Sequence, residues 1–244
     1  MLEIIETSGE RELVIGDIHG CAEELSVLLT FLREKIKITQ NDLVVFLGDY
    51  IDRGPDSRRV VDLLVQFKHD FPVTRFLRGN HEDMLMDFLG FGGSLGHAFL
   101  YNGGLETIQS YGISVFSPPG EMMRLMPESH FKFFSSLDSI VSLKSHLLVH
   151  AGLNPSNDLF SQKAEDVYWI REAFLDSEFE FGKTVVFGHT PHREVFDHRP
   201  FKLGIDTGVV FGNKLSCFDI NSNSLYQVRR GTMVVDVSNL PEIA

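Results

Sequence analysis

Apolar residues along this chain alternate between two spacings, and the alternation predicts strands that hand over to helices. Leu13-Val14-Ile15 and Leu43-Val44-Val45-Phe46-Leu47 are unbroken apolar runs of the buried-strand type, and Val73-Thr74-Arg75-Phe76-Leu77 is a third strand candidate. After the first, Leu25, Leu28, Leu29 and Leu32 recur at helical spacing and predict an amphipathic helix over Ala22 to Lys35. After the second, Pro55 is a helix-start signal, and Val60, Leu63, Leu64 and Phe67 share one helical face. The third leads into a helix from about Glu82 to Leu89. This repetition implies a mostly parallel sheet with right-handed crossovers, in which ligands gather outside the carboxyl ends of the strands.

Between Gly90 and Asp138 the periodicity breaks up, with Gly92-Gly93, Gly103-Gly104 and Pro118-Pro119 separating short helical pieces. A segment of this length without ligand candidates of its own reads as a helical cap insertion over the site. Strand patterns return at His146-Leu147-Leu148-Val149-His150 and Thr184-Val185-Val186-Phe187, with a helix expected over Val167 to Phe174 between them. The tail, Lys202 to Asp206, Leu215 to Ile220 and Ser224 to Arg229, reads as short strands of an antiparallel second sheet. No low-complexity linker divides the chain, so residues 1–244 are expected to form one domain with the cap at about 90–138.

Composition narrows the choice of partners. A chain of 244 residues with 43% hydrophobic content can bury a large core. Its formal net charge of -12 repels polyanions, so extended nucleic acid is not an expected partner. Cys21 and Cys217 stand at no zinc-finger or redox spacing and read as reduced packing residues. Glu3, Glu6, Glu10 and Glu12 occupy the stretch where a secretory signal needs a basic start, and no apolar run approaches the roughly 20 residues of a membrane span. The cytoplasm is the expected location, with no membrane partner.

The polar residues that follow the strands carry the candidate chemistry. Gly16-Asp17-Ile18-His19-Gly20, Gly48-Asp49-Tyr50-Ile51-Asp52-Arg53-Gly54 and Gly79-Asn80-His81-Glu82 each close a predicted strand, and His150 and His189 close two more. Any one of these could be a simple polar turn. Together they gather imidazole, carboxylate and amide groups, a mixture that suits manganese, iron or zinc, while the scarcity of cysteine disfavours a thiolate site. Two ions need a shared anionic ligand, and Asp49, on the second strand of the trio, is the natural bridge. Two metals about 3.5 to 4 Å apart lower the pKa of water and clamp the oxygens of an in-line displacement at phosphorus.

In this order and spacing the five motifs resemble the phosphoprotein phosphatase family, and Gly204-Ile205-Asp206-Thr207-Gly208 with Phe211-Gly212 resembles its bacterial and phage branch. The resemblance implies a calcineurin-like metallophosphoesterase fold of the α/β class, two packed mixed β-sheets flanked by helices, with a dinuclear site for divalent metals. Manganese is the ion expected first. By the same resemblance Asp17 and His19 would hold one metal, Asp49 would bridge, and Asn80, His150 and His189 would hold the other. His81 would be the general acid, oriented by Asp52, and Arg53, Arg78 and Arg171 would contact phosphate, as guanidinium forks suit phosphate oxygens.

The leading expectation is a metal-dependent phosphomonoesterase acting on phosphoserine and phosphothreonine in proteins, with phosphotyrosine as a further substrate, through direct attack of a metal-activated water. The related diadenosine tetraphosphate hydrolases typically lack the aspartate at position 52 and carry aspartate at position 82, and both differences favour the protein substrate. The alternatives are hydrolysis of dinucleoside polyphosphates or other small phosphoesters, and a non-catalytic phosphopeptide-binding module. Glu82 reads as a helix-start carboxylate or one that supports the ligands, and not as a ligand itself, His146 as packing, His192 as a residue close behind His189 for which substrate contact is the less favoured reading, and His69, His97, His130 and His198 as solvent-facing.

Overall fold

A computed structural model describes residues 2–242. In chain order the strands are β1 (Ile4–Glu6), β2 (Glu12–Ile15), β3 (Leu43–Phe46), β4 (Arg75–Phe76), β5 (Ile140–Ser142), β6 (His146–Val149), β7 (Thr184–Phe187), β8 (Phe196–His198), β9 (Lys202–Gly204), β10 (Lys214–Asp219), β11 (Ser224–Arg229) and β12 (Val235–Asn239). They form two mixed six-stranded sheets, ordered β1-β5-β6-β7-β9-β8 and β12-β11-β10-β2-β3-β4. The expected trio is present: β2, β3 and β4 are parallel neighbours, with Val14 paired to Val45 and Phe46 to Phe76. The tail departs from expectation. Instead of building a sheet of its own, β10 pairs antiparallel with β2 and extends the trio through β11 and β12, while β9 joins β7 in the other sheet.

Side-chain alternation along the strands assembles three apolar layers. Val14, Val45 and Phe218 from one sheet meet Val141, Leu148 and Val186 from the other in the seam between them. The alternate residues Leu13, Ile15, Val44 and Phe46 turn outward onto a helical layer. On the opposite outer face, Leu147, Val149, Val185 and Phe187 pack with Val167 and Phe174. The result is two sheets face to face with helices outside.

The helices are α1 (Ala22–Phe31), α2 (Ser57–Asp70), α3 (Asn80–Phe88), α4 (Gly104–Ser110), α5 (Pro119–Leu125), α6 (Glu128–Ser135), α7 (Ala164–Trp169) and α8 (Glu172–Leu175). The first continues through a wider π-type turn, Leu32–Ile36, and stops at Lys37, which takes a left-handed φ of 58°. The start of α2 is fixed by Asp56, whose carboxylate accepts from the Arg59 N–H at 3.1 Å. The helix expected over Val167 to Phe174 is two short helices, broken where Arg171 leaves helical geometry with φ -133° and ψ -102°.

The 90–138 segment packs its apolar side chains into the main core. Ile108, Met122, Phe133 and Phe134 share that core with residues of α1, α2 and α3. Within it, His130 is 1% exposed and lies between Tyr111 Oη at 2.8 Å and Asp62 Oδ1 at 2.9 Å, so the solvent-facing expectation for this histidine is overturned. Cys21 and Cys217 are buried and unpaired. No helix among the described residues is long and apolar enough to cross a membrane.

Candidate metal centre

Every candidate ligand lies within four residues of a strand's carboxyl end, Asn80 as the first residue of α3 and the others in the connecting turns, and several of these turns hold uncommon backbone geometry. His19, Asp49, Asp52, Arg53 and His189 take φ values of 46°, 51°, 71°, 66° and 62°, the left-handed region that L-residues seldom occupy. Strain of this kind persists only where surrounding contacts over-determine it. Here Glu82 supplies many of them. At the start of α3, its carboxylate accepts from the N–H groups of Asp49 at 2.9 Å, Tyr50 at 2.8 Å and Gly79 at 3.0 Å. The β3 and β4 turns are thereby locked to one another. Gly54 lets the β2 and β3 turns approach closely, because a Cβ at this position would overlap the carbonyl oxygen of His19.

Asp49 is the hub. It belongs to two clusters of candidate metal ligands, one with His19 and His81 and one with His150 and His189. Its Oδ2 lies 3.3 Å from His19 Nε2 and 3.9 Å from His81 Nε2, and its Oδ1 lies 3.4 Å from His150 Nε2. Asn80 Oδ1 sits between His150 Nε2 at 3.1 Å and His189 Nδ1 at 2.9 Å. Asp17 adjoins the second of these clusters, its Oδ2 accepting from the His189 N–H at 2.9 Å.

The tautomers can be read from these contacts. His19 Nδ1 is 2.8 Å from the Ile51 carbonyl, and His150 Nδ1 is 2.8 Å from the Leu47 carbonyl. A carbonyl only accepts, so both Nδ1 atoms carry hydrogen and both Nε2 atoms are bare in the neutral ring. Burial keeps those rings neutral, lowering His19 to about 3 and depressing His150. The His150 lone pair therefore faces the Asp49 carboxylate, and that of His19 lies between Asp49 and the Arg53 guanidinium, which it meets at 2.8 Å. Burial alone would raise Asp49, but the surrounding imidazoles, His150 first, hold it well below the usual carboxylate range. Lone pairs turned toward an anion fit a cation between them, and Asp17 Oδ1 and His189 Nε2 are buried with no hydrogen-bond partner. The donor set of imidazole, carboxylate and amide oxygen suits borderline divalent ions.

Beside the hub lies a carboxylate–imidazole pair. His81 Nδ1 is 2.6 Å from Asp52 Oδ2, and both residues are fully buried. Burial opposes charge on the ring, but Asp49 and Asp52 together raise His81 above the ordinary imidazole value. Its Nε2 is buried without a partner. Asp52 is held in turn from the 90–138 segment: Thr107 Oγ1 donates to Asp52 Oδ1 at 2.6 Å and accepts from the Asp52 N–H at 2.9 Å. Arg53 N–H also donates to the Gly103 carbonyl at 3.1 Å.

The three arginines come from three different turns. Arg53 Nη1 reaches His19 Nε2 at 2.8 Å, Arg171 Nη1 lies 3.5 Å from Thr190 Oγ1, and Arg78 Nη1 lies 3.6 Å from Asp83 Oδ1. Of the residues expected at the site, His19, Asp49, His81, His150 and His189 fall into the two clusters, Asp17, Asn80, Asp52 and Arg53 contact members of them, and Arg78 and Arg171 are placed by contacts to Asp83 and Thr190. Sequence reasoning missed the part played by Thr107, which no spacing rule connects to Asp52. It also missed Asp206, a carboxylate pushed upward by burial and by Asp49, although its Gly-Ile-Asp-Thr-Gly segment was visible in the sequence.

Comparison with known proteins gives the family and the fold. The calcineurin-like phosphoesterase family matches residues 11–217. A bis(5'-nucleosyl)-tetraphosphatase PrpE (asymmetrical) of Oceanobacillus iheyensis is 30% identical over 229 residues, spanning 84% of this chain and 86% of the relative. Serine/threonine-protein phosphatase 1 of Salmonella typhimurium is 32% identical over 221 residues, spanning 87% of this chain and 93% of that protein. Among solved structures, a putative diadenosine tetraphosphatase shares the fold with a TM-score of 0.70 at 22% identity, covering 94% of this chain and 99% of its own. With the two sheets, the ligand turns at their edge and a family match across most of its length, the chain belongs to the calcineurin-like phosphoesterases and is a metallophosphoesterase.

Proposed function

We propose that this protein hydrolyses dinucleoside polyphosphates. The reading is carried by the likeness to a named dinucleoside tetraphosphatase, and Arg53 beside His19 and Arg171 beside Thr190 supply guanidiniums suited to phosphate oxygens. The Oceanobacillus relative, matched along most of its length, bears the name of such an enzyme. That likeness, joined by the fold shared with a putative diadenosine tetraphosphatase, supports the dinucleotide reading as the first one, ahead of the protein phosphatase expected from Asp52 and Glu82. The charge of -12 is no obstacle, since the local field at the site is set by the guanidiniums and by bound cations.

Asp17, His19 and Asp49 would hold one divalent ion, and Asp49, Asn80, His150 and His189 the other. When bound, such ions lower the pKa of water and neutralise charge that builds on phosphoryl oxygens. The remaining work falls to side chains. Arg53, Arg78 and Arg171 orient the phosphates for in-line attack. Water forms the new bond to phosphorus and releases a proton to solvent, the bond to the leaving oxygen breaks with its electron pair, and His81 Nε2 gives that oxygen a proton. Asp52 fixes the tautomer by accepting from Nδ1 and stabilises the charged ring before transfer. The whole chain acts as one catalytic unit, with the 90–138 segment bracing Asp52 and Arg53 through Thr107 and Gly103.

A second reading, hydrolysis of phosphoserine and phosphothreonine in proteins, is favoured by the buried His81–Asp52 pair. A strong proton donor matters most for a basic alkoxide leaving group, and the Salmonella relative carries the corresponding name. The test compares kcat/KM on diadenosine tetraphosphate, a phosphothreonine peptide and a phosphotyrosine peptide with the same manganese-loaded preparation. The dinucleotide is expected to lead. A peptide rate that dominates would overturn the proposal in favour of the second reading.

A further inference from the structure

Beside the metal cluster is a cleft of about 370 Å³ lined by Pro191, His192, Arg193, Gly208, Phe211 and Asn213, which the catalytic scheme leaves unused. Phe211 is 64% exposed, yet it sits on a stiff turn. Gly208 and Gly212 bracket that turn with φ values of 66° and 90°. The Gly208 N–H donates to Asp206 Oδ1 at 2.9 Å, and Asn213 Nδ2 donates to the Arg193 carbonyl at 2.8 Å, tying the turn to the opposite wall. A phenyl ring fixed in water forgoes the stabilisation of burial, which a planar apolar ligand would restore.

The ring is coupled to the site through one side chain. The Arg53 guanidinium lies 5.7 Å from the Phe211 ring centroid and also reaches His19 Nε2 at 2.8 Å. A phosphate held by Arg53 would therefore carry its organic substituent toward Phe211. Across the cleft, His192 is braced by stacking on Phe196, with centroids 5.0 Å apart and 26° between the planes. An aromatic floor, a braced imidazole and polar groups from Arg193 and Asn213 match a nucleobase, whose faces stack and whose edges hydrogen-bond.

We infer that this cleft seats the nucleobase of a nucleotide whose phosphates reach the metal cluster, with Phe211 as its stacking platform. The inference rests on the dinucleoside polyphosphate reading and adds to it the place where one nucleoside is recognised. Because every base has a face that stacks on an aromatic ring, the cleft is open to purine and pyrimidine nucleotides alike.

The test uses wild type, Phe211→Ala and Phe211→Trp, with thermal melts as a folding control. Steady-state kinetics are measured on diadenosine tetraphosphate, p-nitrophenyl phosphate and a phosphothreonine peptide. Inhibition of p-nitrophenyl phosphate hydrolysis by ATP is compared with that by inorganic tripolyphosphate at fixed free manganese. Phe211→Ala is expected to raise KM for the dinucleotide roughly tenfold relative to its effect on p-nitrophenyl phosphate. It should also erase the margin by which ATP inhibits better than tripolyphosphate, and Phe211→Trp should keep both. Dinucleotide turnover with the same KM in wild type and Phe211→Ala overturns the subsite and leaves the proposed function standing. Absence of dinucleotide turnover in wild type overturns the proposed function, and the inhibition arm then decides the subsite alone. An ATP margin lost in Phe211→Ala upholds it, and equal inhibition by ATP and tripolyphosphate overturns it. Equal inhibition joined to a selective loss on the peptide assigns the cleft to a peptide side chain.

Discussion

Asp49 is a single anion faced by His19 and His81 on one side and by His150 on the other, and its proposed bridging role depends on that charge. Asp49→Asn preserves the shape and removes the anion, so metal content by elemental analysis is expected to fall from two ions to one or none per chain. Turnover should drop by about three orders of magnitude, the scale of losing electrostatic stabilisation at a reacting centre. Full stoichiometry with full turnover would remove Asp49 from the bridge. His81→Asn tests the proton donor. General acid help is worth about 10²- to 10⁴-fold and weighs most where the leaving oxygen is basic. The kcat on a phosphoserine peptide should therefore fall much further than on p-nitrophenyl phosphate, with the dinucleotide between them and the metals retained. Equal losses on all three would show that His81 positions phosphate instead.

At the scale of elements, the 90–138 segment meets the chemistry through α4. Thr107 binds both the carboxylate and the N–H of Asp52 and lies 2.9 Å from Ser57 Oγ, so one hydroxyl ties this segment, α2 and the proposed acid pair together. Thr107→Val keeps the volume and leaves a buried carboxylate short of a donor, at a stability cost of about 1–3 kcal/mol. Burial already raises Asp52, while its bonds to His81 and Thr107 pull it down. With the Thr107 bond gone Asp52 takes up a proton at higher pH, so the acid limb of the kcat profile should move upward in pH. The kcat should fall about tenfold with little change in KM, as an effect on proton transfer does. An unmoved acid limb with lower stability would reduce Thr107 to a packing role.

Across the whole molecule, the candidate ligands belong to both sheets. Asp17, His19, Asp49 and Asn80 follow β2, β3 and β4, whereas His150 and His189 follow β6 and β7. Ions held between them would fasten the sheets at one edge of a seam that is otherwise apolar. Saturating metal at about a hundred times its dissociation constant adds roughly 2.7 kcal/mol to a fold that binds it only when native. For a chain of this size each kcal/mol shifts Tm by about 2–4 °C, so EDTA should lower Tm by about 5 °C or more, and manganese should restore it in a concentration-dependent way. Calorimetry with and without chelator reads the effect. A Tm indifferent to metal in wild type would mean that the two sheets are not joined through these donors.

The sequence by itself determined what depends on neighbours in the chain. Apolar runs, the polar turns that end them and the helical spacing of Leu25, Leu28, Leu29 and Leu32 are local, and the residues after β2, β3, β4, β6 and β7 could be picked out because strand and ligand are contiguous. The resemblance to the phosphoprotein phosphatases rested on the same short motifs, and so did the fold class. Tertiary structure decided what depends on distant pairs. Thr107 and Asp52 are 55 residues apart, and His130 is buried because Asp62, 68 residues earlier, meets it across a helical interface. The pairing of β10 with β2, which drew the tail into the first sheet, likewise joins segments that no local period connects. Substrate choice belongs to this second class. Local motifs specify chemistry at phosphorus, whereas the groups proposed here to hold the rest of the substrate, Arg171 at a broken helix and Phe211 on its turn, are brought toward the site only by the tertiary fold.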